Sequence, residues 1–417
     1  MENKKNIPVL LLTGYLGSGK TTLLNRILNN RRGIRFAVIV NDIGEVNIDA
    51  ELIAKGGIVG QNDDSLVALQ NGCICCTLKM DLVEQVKELI AADKFDYIVI
   101  EASGICEPEP IAQTIWSIPQ LGPEVNKHGT CRLDCVVTVV DALRLKDEFE
   151  NGEKIVNKQY DEEDIENLVA QQIEFCNIVL LNKISEVSDK DADKLRAMVR
   201  ALQPRAEIID CDFCDIDLDK ILYTDKFNFA KVATSATWIN EIEKSPEKLE
   251  EEEKEQHHHH DDEEDDHHHH EDHEDDHDHE GHGHHHHHHH GEGEAEEYGI
   301  GTFVYYRRRP LSLEKFDNFV AKKWPKNVIR SKGVCYFSAQ PDMSYLFEQA
   351  GSQKQITEAG LWYATASPEE IENMMMREPA LARDWDEKYG DRMQKIVFIG
   401  RHLDREAITR DLDECLD

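Results

Sequence analysis

Residues 7–28 read IPVLLLTGYLGSGKTTLLNRIL: an apolar run, a loop with glycines at 14, 17 and 19, and then an amphipathic pattern beginning at a Lys-Thr-Thr triplet. A run this apolar is a strand buried on both faces, and the spacing after the loop is helical. The loop fits G-x-x-x-x-G-K-[ST] through Gly14, Gly19, Lys20 and Thr21, in the strand-to-helix context that makes the pattern specific. Glycines let the chain curl so that successive amides of Gly17, Ser18, Gly19 and Thr22 point at phosphate oxygens. Lys20 neutralises the β and γ phosphates, and the Thr21 hydroxyl is a ligand suited to Mg²⁺.

Further apolar runs follow at RFAVIVND, FDYIVIEAS, LDCVVTVVDA, CNIVLLNK and AEIIDC, with amphipathic stretches between several of them. Strands alternating with helices imply a mostly parallel sheet covered on both faces, so residues 1–243 are expected to form an α/β P-loop NTPase domain. Residues 244–297 run from EKSPEKLEEEEKEQ into blocks of His and Asp/Glu, a composition that cannot bury enough apolar surface to order itself. They are expected to be a disordered linker. Residues 298–417 regain globular character in GIGTFVYYRRRPLS, a helix-like LEKFDNFVAKKW, strand-like GVCYFSA, GLWYATA and QKIVFIG, and a helix after Asp404. They read as a smaller α+β domain.

The formal net charge is -36, of which residues 250–297 contribute -21 through 22 acids and one lysine. That sign argues against nucleic acid as a partner and favours attraction of cations. No apolar run reaches the roughly 18–20 residues of a membrane span, and MENKKNIPVLLLTG passes into a strand with no cleavage-site pattern, so a cytoplasmic protein is expected. In a reducing compartment eleven cysteines point to metal ligation or packing rather than a disulfide framework. Cys131, Cys135, Cys176 and Cys335 lie in apolar contexts that suit packing.

Glu101, ending YIVIE, stands where such proteins place an acid for the Mg²⁺ shell, and Gly104 can offer its amide to a γ-phosphate. Asp42, closing VIVND, is either a group that reaches Mg²⁺ or the attacking water, or a turn former. Asn182 and Lys183 in VLLNKIS match the first half of the guanine-reading N-K-x-D motif, but Ser185 occupies the acidic position. Either Glu186 substitutes, or preference for GTP over ATP is weakened. A kinase using the same loop lacks support, since no lid-like arginine cluster is present.

NGCICC places Cys73, Cys75 and Cys76 after a glycine. Neighbouring side chains on a strand point oppositely, so adjacent cysteines do not both bury on one face, whereas soft thiolates suit Zn²⁺, Co²⁺ or Cu(I). Taken with GYLGSGKTT, NDIGEVNID, EASG and LNKIS, and followed by a His-rich linker and a small C-terminal domain, this motif resembles the CobW-like family of GTPase metallochaperones over nearly the whole chain. The resemblance implies hydrolysis of GTP with Mg²⁺, and binding of a transition metal, commonly Zn²⁺, with Co²⁺ or Ni²⁺ as relatives. It implies delivery to a client metalloprotein or cofactor; a cobalt activator for corrinoid synthesis or a nitrile hydratase-like enzyme is the rival within the family, and a passive metal buffer the rival outside it. Glu45, on the loop where a first switch belongs and where the family pattern has Glu, is the candidate oxygen ligand; its alternative is a solvated carboxylate. Ser185, Asp42 in place of the usual Glu, and EASG in place of ETTG are departures. Cys211 and Cys214 have C-x-x-C spacing without a partner pair and read as packing or chance, and Cys106 either joins the metal or fills a turn.

Of 21 histidines, 19 fall within residues 257–290, interleaved with acids. Neutral imidazoles hold Zn²⁺, Ni²⁺ and Co²⁺ weakly when mobile, so the tract reads as a reservoir. Deleting residues 257–290 should remove several weakly held zinc ions and leave one tight ion in a metal titration. Absence of the tight ion would show that Cys73, Cys75 and Cys76 are not its site.

Overall fold

The computed structural model describes residues 5–29, 33–40, 68–70, 79–123, 126–150, 165–249, 252, 298–351 and 353–417. The first domain is a sheet of seven strands: β1 (Asn6–Thr13), β2 (Phe36–Val40), β3 (Ala68–Gln70), β4 (Tyr97–Glu101), β5 (Thr130–Asp141), β6 (Ile178–Asn182) and β7 (Glu207–Cys211). Their order is β3-β2-β4-β1-β5-β6-β7 and every pairing is parallel. Six are the runs expected from the sequence; β3, three residues long, is too short to leave a pattern.

The two-residue period of the strands sorts side chains into two cores. Leu10, Leu12, Val38, Val99 and Val137 face helix α1 (Lys20–Leu28) and the segment around Ile221. Val9, Leu11, Ile39, Ile98 and Ile100 face α2 (Lys79–Ala91), α3 (Pro108–Ser117), α4 (Ala142–Glu150), α5 (Ile165–Glu174) and α6 (Asp189–Leu202). Cys131, Cys135, Cys176 and Cys335 are all buried, and burial pushes the thiols of Cys131, Cys176 and Cys335 up to about 12. Neutral thiols of that kind are packing groups, as the sequence suggested.

The second sheet, β8 (Ile300–Arg307), β9 (Val328–Phe337), β10 (Gln340–Ala350), β11 (Gln353–Leu361) and β12 (Gln394–Arg401), is antiparallel in the order β11-β10-β9-β12-β8. GLWYATA departs from its expected strand: β11 ends at Leu361, and Tyr363–Thr365 is a 3₁₀ turn whose Tyr363 and Ala364 amides donate to Asp391. Within the stretch 244–297, Leu249 is buried in the same core as Val9 and Ile98.

One face of this sheet covers α5, α6 and a further helix, α7 (Thr237–Ile242), and Ile300, Val304, Ile329, Val397 and Ile399 belong to the same core as Val9 and Ile98. Inside that contact Arg330 is fully buried. Its Nε and Nη2 donate to the two oxygens of Glu174 at 2.8 and 3.3 Å, Nη1 to Asn167 Oδ1 at 2.5 Å, and Nη2 to Glu348 at 3.3 Å. Lys332 pairs with Glu348 at 2.6 Å and lies 4.3 Å from the Trp238 ring centroid. Removing one member of a buried ion pair strands the other's charge. Arg330→Leu should therefore cost about 3–5 kcal/mol in urea unfolding, and Glu174→Leu added to it should recover part of the loss. A change below about 1 kcal/mol would show that water reaches the pair.

Candidate functional site

Parallel strands bring their carboxyl ends to one edge, where ligands bind in open α/β sheets. Leu12, Glu101, Val40 and Gln70 stand opposite one another in register across β1, β4, β2 and β3. Every loop after these strands starts from that row.

The Gly14–Thr21 loop leaves β1 and opens α1. Gly19, at the cap, has φ 118°, and a Cβ there would sit 2.5 Å from Asn182 Nδ2, so only glycine fits. Lys20 is buried, with Nζ donating to Tyr15 O at 3.2 Å across the loop. The Thr21 hydroxyl donates to Glu101 Oε1 at 3.2 Å, and Glu101 is 3% exposed. A hydroxyl and a buried carboxylate side by side are hard oxygen donors of the kind Mg²⁺ prefers, so the residues present fit that ion.

Gly104 packs directly on the phosphate loop, since a Cβ there would lie 2.7 Å from Leu16 N. The turn it belongs to is held by Gln172 of α5, whose Nε2 donates to Gly104 O at 3.4 Å and Cys106 O at 3.2 Å. The same turn is closed by the Cys106 amide, which donates to Ser103 O. Sequence reasoning passed over Gln172. The signal was there: Val169, Gln172 and Ile173 fall on one apolar helical stripe, where a buried polar group calls for partners.

On the base side, Asn182 ends β6. Its Nδ2 donates to Ser18 O at 2.8 Å, and its Oδ1 accepts from the Cys214 amide at 2.9 Å. Lys183 adopts φ 60° and pairs with Asp141, which also accepts from the Arg144 amide at 3.1 Å. The Arg144 guanidinium lies over Tyr15, 3.9 Å from its ring centroid. Cys211 and Cys214 are buried behind the loop. A hydrogen bond from Cys214 lowers the Cys211 thiol, and the same bond together with burial raises Cys214. Among the described residues no three His, Cys, Asp or Glu side chains gather to hold a metal.

The structure thus brings Gly14, Gly17, Ser18, Gly19, Lys20, Thr21, Thr22, Glu101, Gly104, Asn182 and Lys183 to one sheet edge. Asp42, Glu45, Cys73, Cys75, Cys76 and the histidine tract lie outside the described residues.

A phosphate loop with its lysine, a hydroxyl–carboxylate pair, and an Asn-Lys step tied to the loop define a P-loop GTPase. Residues 8–210 match the CobW/HypB/UreG nucleotide-binding domain, and residues 300–416 match the cobalamin synthesis protein cobW C-terminal domain. The chain is 32% identical over 429 residues to zinc-regulated GTPase metalloprotein activator 1 of Dictyostelium discoideum, covering 99% of this chain and 80% of that protein. It is 34% identical over 226 residues to the zinc chaperone YjiA of Escherichia coli, covering 53% of this chain and 62% of the relative. A Zn(II)-bound YjiA crystal structure aligns over 99% of this chain and 100% of its own, at 20% identity and a TM-score of 0.38. The chain belongs to the CobW family of GTPases.

Asn182→Ala would release the Ser18 carbonyl and the Cys214 amide from their shared partner. It should weaken GTP binding at least tenfold and lower stability by about 1–3 kcal/mol, read by nucleotide titration and thermal unfolding. Unchanged affinity would mean the tie does not position the loop.

Proposed function

We propose that this GTPase is a metallochaperone that holds zinc at Cys73, Cys75 and Cys76, with Glu45 as the oxygen ligand, and releases it to a client metalloprotein as GTP is turned over. Support comes from the names of its relatives, a zinc-regulated activator and a zinc chaperone. The observation that carries the reading is the strand register. Gln70, three residues before Cys73, lies opposite Val40, and Val40 lies opposite Glu101. Strands are about 4.8 Å apart, so Gln70 stands about 10 Å from the Glu101 backbone. Between β3, after which the Cys73 motif follows in the chain, and β4, which carries Glu101, the sheet has only β2.

Hydrolysis uses the chain's own groups as follows. Lys20 neutralises the β and γ phosphates, and amides of the Gly14–Thr21 loop receive their oxygens. Thr21 and Glu101 would hold Mg²⁺, which when bound draws charge off the phosphate oxygens. The Gly104 turn, braced by Gln172, offers an amide toward the γ-phosphate, and Asp42 is the candidate for positioning the attacking water. Loops ordered by the γ-phosphate relax on its loss, which alters the ligand geometry around zinc if Glu45 lies on one of them. Among the described residues no helix is long and apolar enough to cross a membrane.

Coupling of about 1–3 kcal/mol corresponds to a shift of roughly 5–150-fold in zinc affinity, with an equal reciprocal effect on nucleotide. The expected result, in protein lacking residues 257–290, is a difference of that size between a non-hydrolysable GTP analogue and GDP in a zinc competition titration. Cys75→Ser with Cys76→Ser should abolish tight zinc binding and leave GTP binding intact. Equal zinc affinities in both nucleotide states would remove the basis for nucleotide-driven delivery.

A further inference from the structure

Ser185 breaks the guanine-reading motif, yet the structure fills the gap from another strand. Asn182 and Cys211 are opposite each other on the paired strands β6 and β7, so the loops after them leave the sheet side by side. Both the backbone amide and the hydroxyl of Ser185 donate to a single oxygen, Asp212 Oδ1, at 3.1 and 2.8 Å. That fixes a carboxylate beside the position where the motif expects one. Among the described residues Asp212 has no lysine or arginine partner, and its Oδ2 makes no hydrogen bond. Glu186, the substitute suggested by sequence, is exposed in the Ile184–Glu186 turn, its amide bonded back to Lys183 O and its side chain making no bond to the β7 loop.

The β7 loop is shaped for this. Phe213 and Cys214 have φ 51° and 53°, a conformation side chains rarely adopt, and the bonds that hold it include Arg26 Nε to Phe213 O at 2.7 Å, Arg26 Nη1 to Asp215 at 2.6 Å and Cys214 N to Asn182 at 2.9 Å. The bend leaves Phe213, the residue after Asp212 in the chain, 77% exposed. An aromatic face beside an acceptor on a loop tied to the phosphate loop suits a purine.

We propose that Asp212 is the residue that selects guanine in this protein, accepting the N1–H and 2-amino protons that the absent motif carboxylate would accept. Adenine presents a lone pair at N1 and no 2-amino group, so the same carboxylate repels it. The proposal rests on the GTPase reading of the site and names its specificity determinant.

Full-length wild type and variants are titrated with GDP, IDP, XDP and ADP in competition. Wild type should prefer GDP to IDP about tenfold and to ADP by more, the value of one bidentate contact. Asp212→Asn should lose at least tenfold in GDP affinity and gain at least tenfold for XDP, because the amide now donates to the xanthine C2 carbonyl. Glu186→Gln should change nothing. Adding Ser185→Asp to Asp212→Asn should restore GDP preference, which also covers the case of a weakened single variant. The proposal is overturned if Asp212→Asn keeps GDP affinity within twofold, if it loses all four nucleotides equally, or if Glu186→Gln produces the switch. Wild type that prefers ADP, or binds no purine selectively, would instead defeat the GTPase reading itself.

Discussion

Asn182 is the point on which the nucleotide site hangs. Its carboxamide is 2% exposed and joins three segments that are far apart in the chain: the phosphate loop through Ser18 O, the end of β6 on which it stands, and the β7 loop through the Cys214 amide. A buried carboxamide must satisfy both its donor and its acceptor, and here each is satisfied by a backbone group of a different loop. The positive φ values of Phe213 and Cys214 exist because the Cys214 amide has to reach that oxygen. The closeness of Gly19 to the same side chain forbids any Cβ there.

From this edge the rest of the molecule follows by shared elements. Helix α5 touches both the site and the second domain: Gln172 braces the Gly104 turn, and one helical face further on Glu174 receives Arg330. The interface is a continuation of the first domain's core, with an ion pair set into apolar surroundings. Such a pair adds little net stability over apolar residues of the same size, but it tolerates only one docking geometry, because any other leaves a charge unpaired. The C-terminal sheet is thereby held in one orientation against the helix that supports the phosphate-sensing turn.

Much of this could be read from the residues alone where a short-range pattern carries it. Six strands announced themselves as apolar runs, and Cys135, Cys176 and Cys211 as parts of those runs. β3 did not, since three residues leave no period, and Tyr363–Thr365 looked like strand because aromatic residues fit a pleated surface as well as a turn capped by Asp391. Gln172 left a readable trace as a polar residue on an apolar stripe. Asp212 left none: nothing in CDFCD marks it as a partner of Ser185, 27 residues earlier.

What the sequence determined by itself is the set of things fixed by neighbours along the chain: the phosphate loop between strand and helix, the parallel sheet implied by strand–helix alternation, the Cys73, Cys75 and Cys76 motif, and the charge segregated into residues 250–297. What only the tertiary structure decided is which distant groups meet. Strand order places Gln70 two strands from Glu101, β6–β7 register sets Ser185 against Asp212, and packing brings Arg330 to Glu174. The physical reason is the same in each case. Local conformation depends on the period of side chains along one element, whereas a contact between elements depends on register and packing, and neither of those is written in the spacing of residues within a single segment.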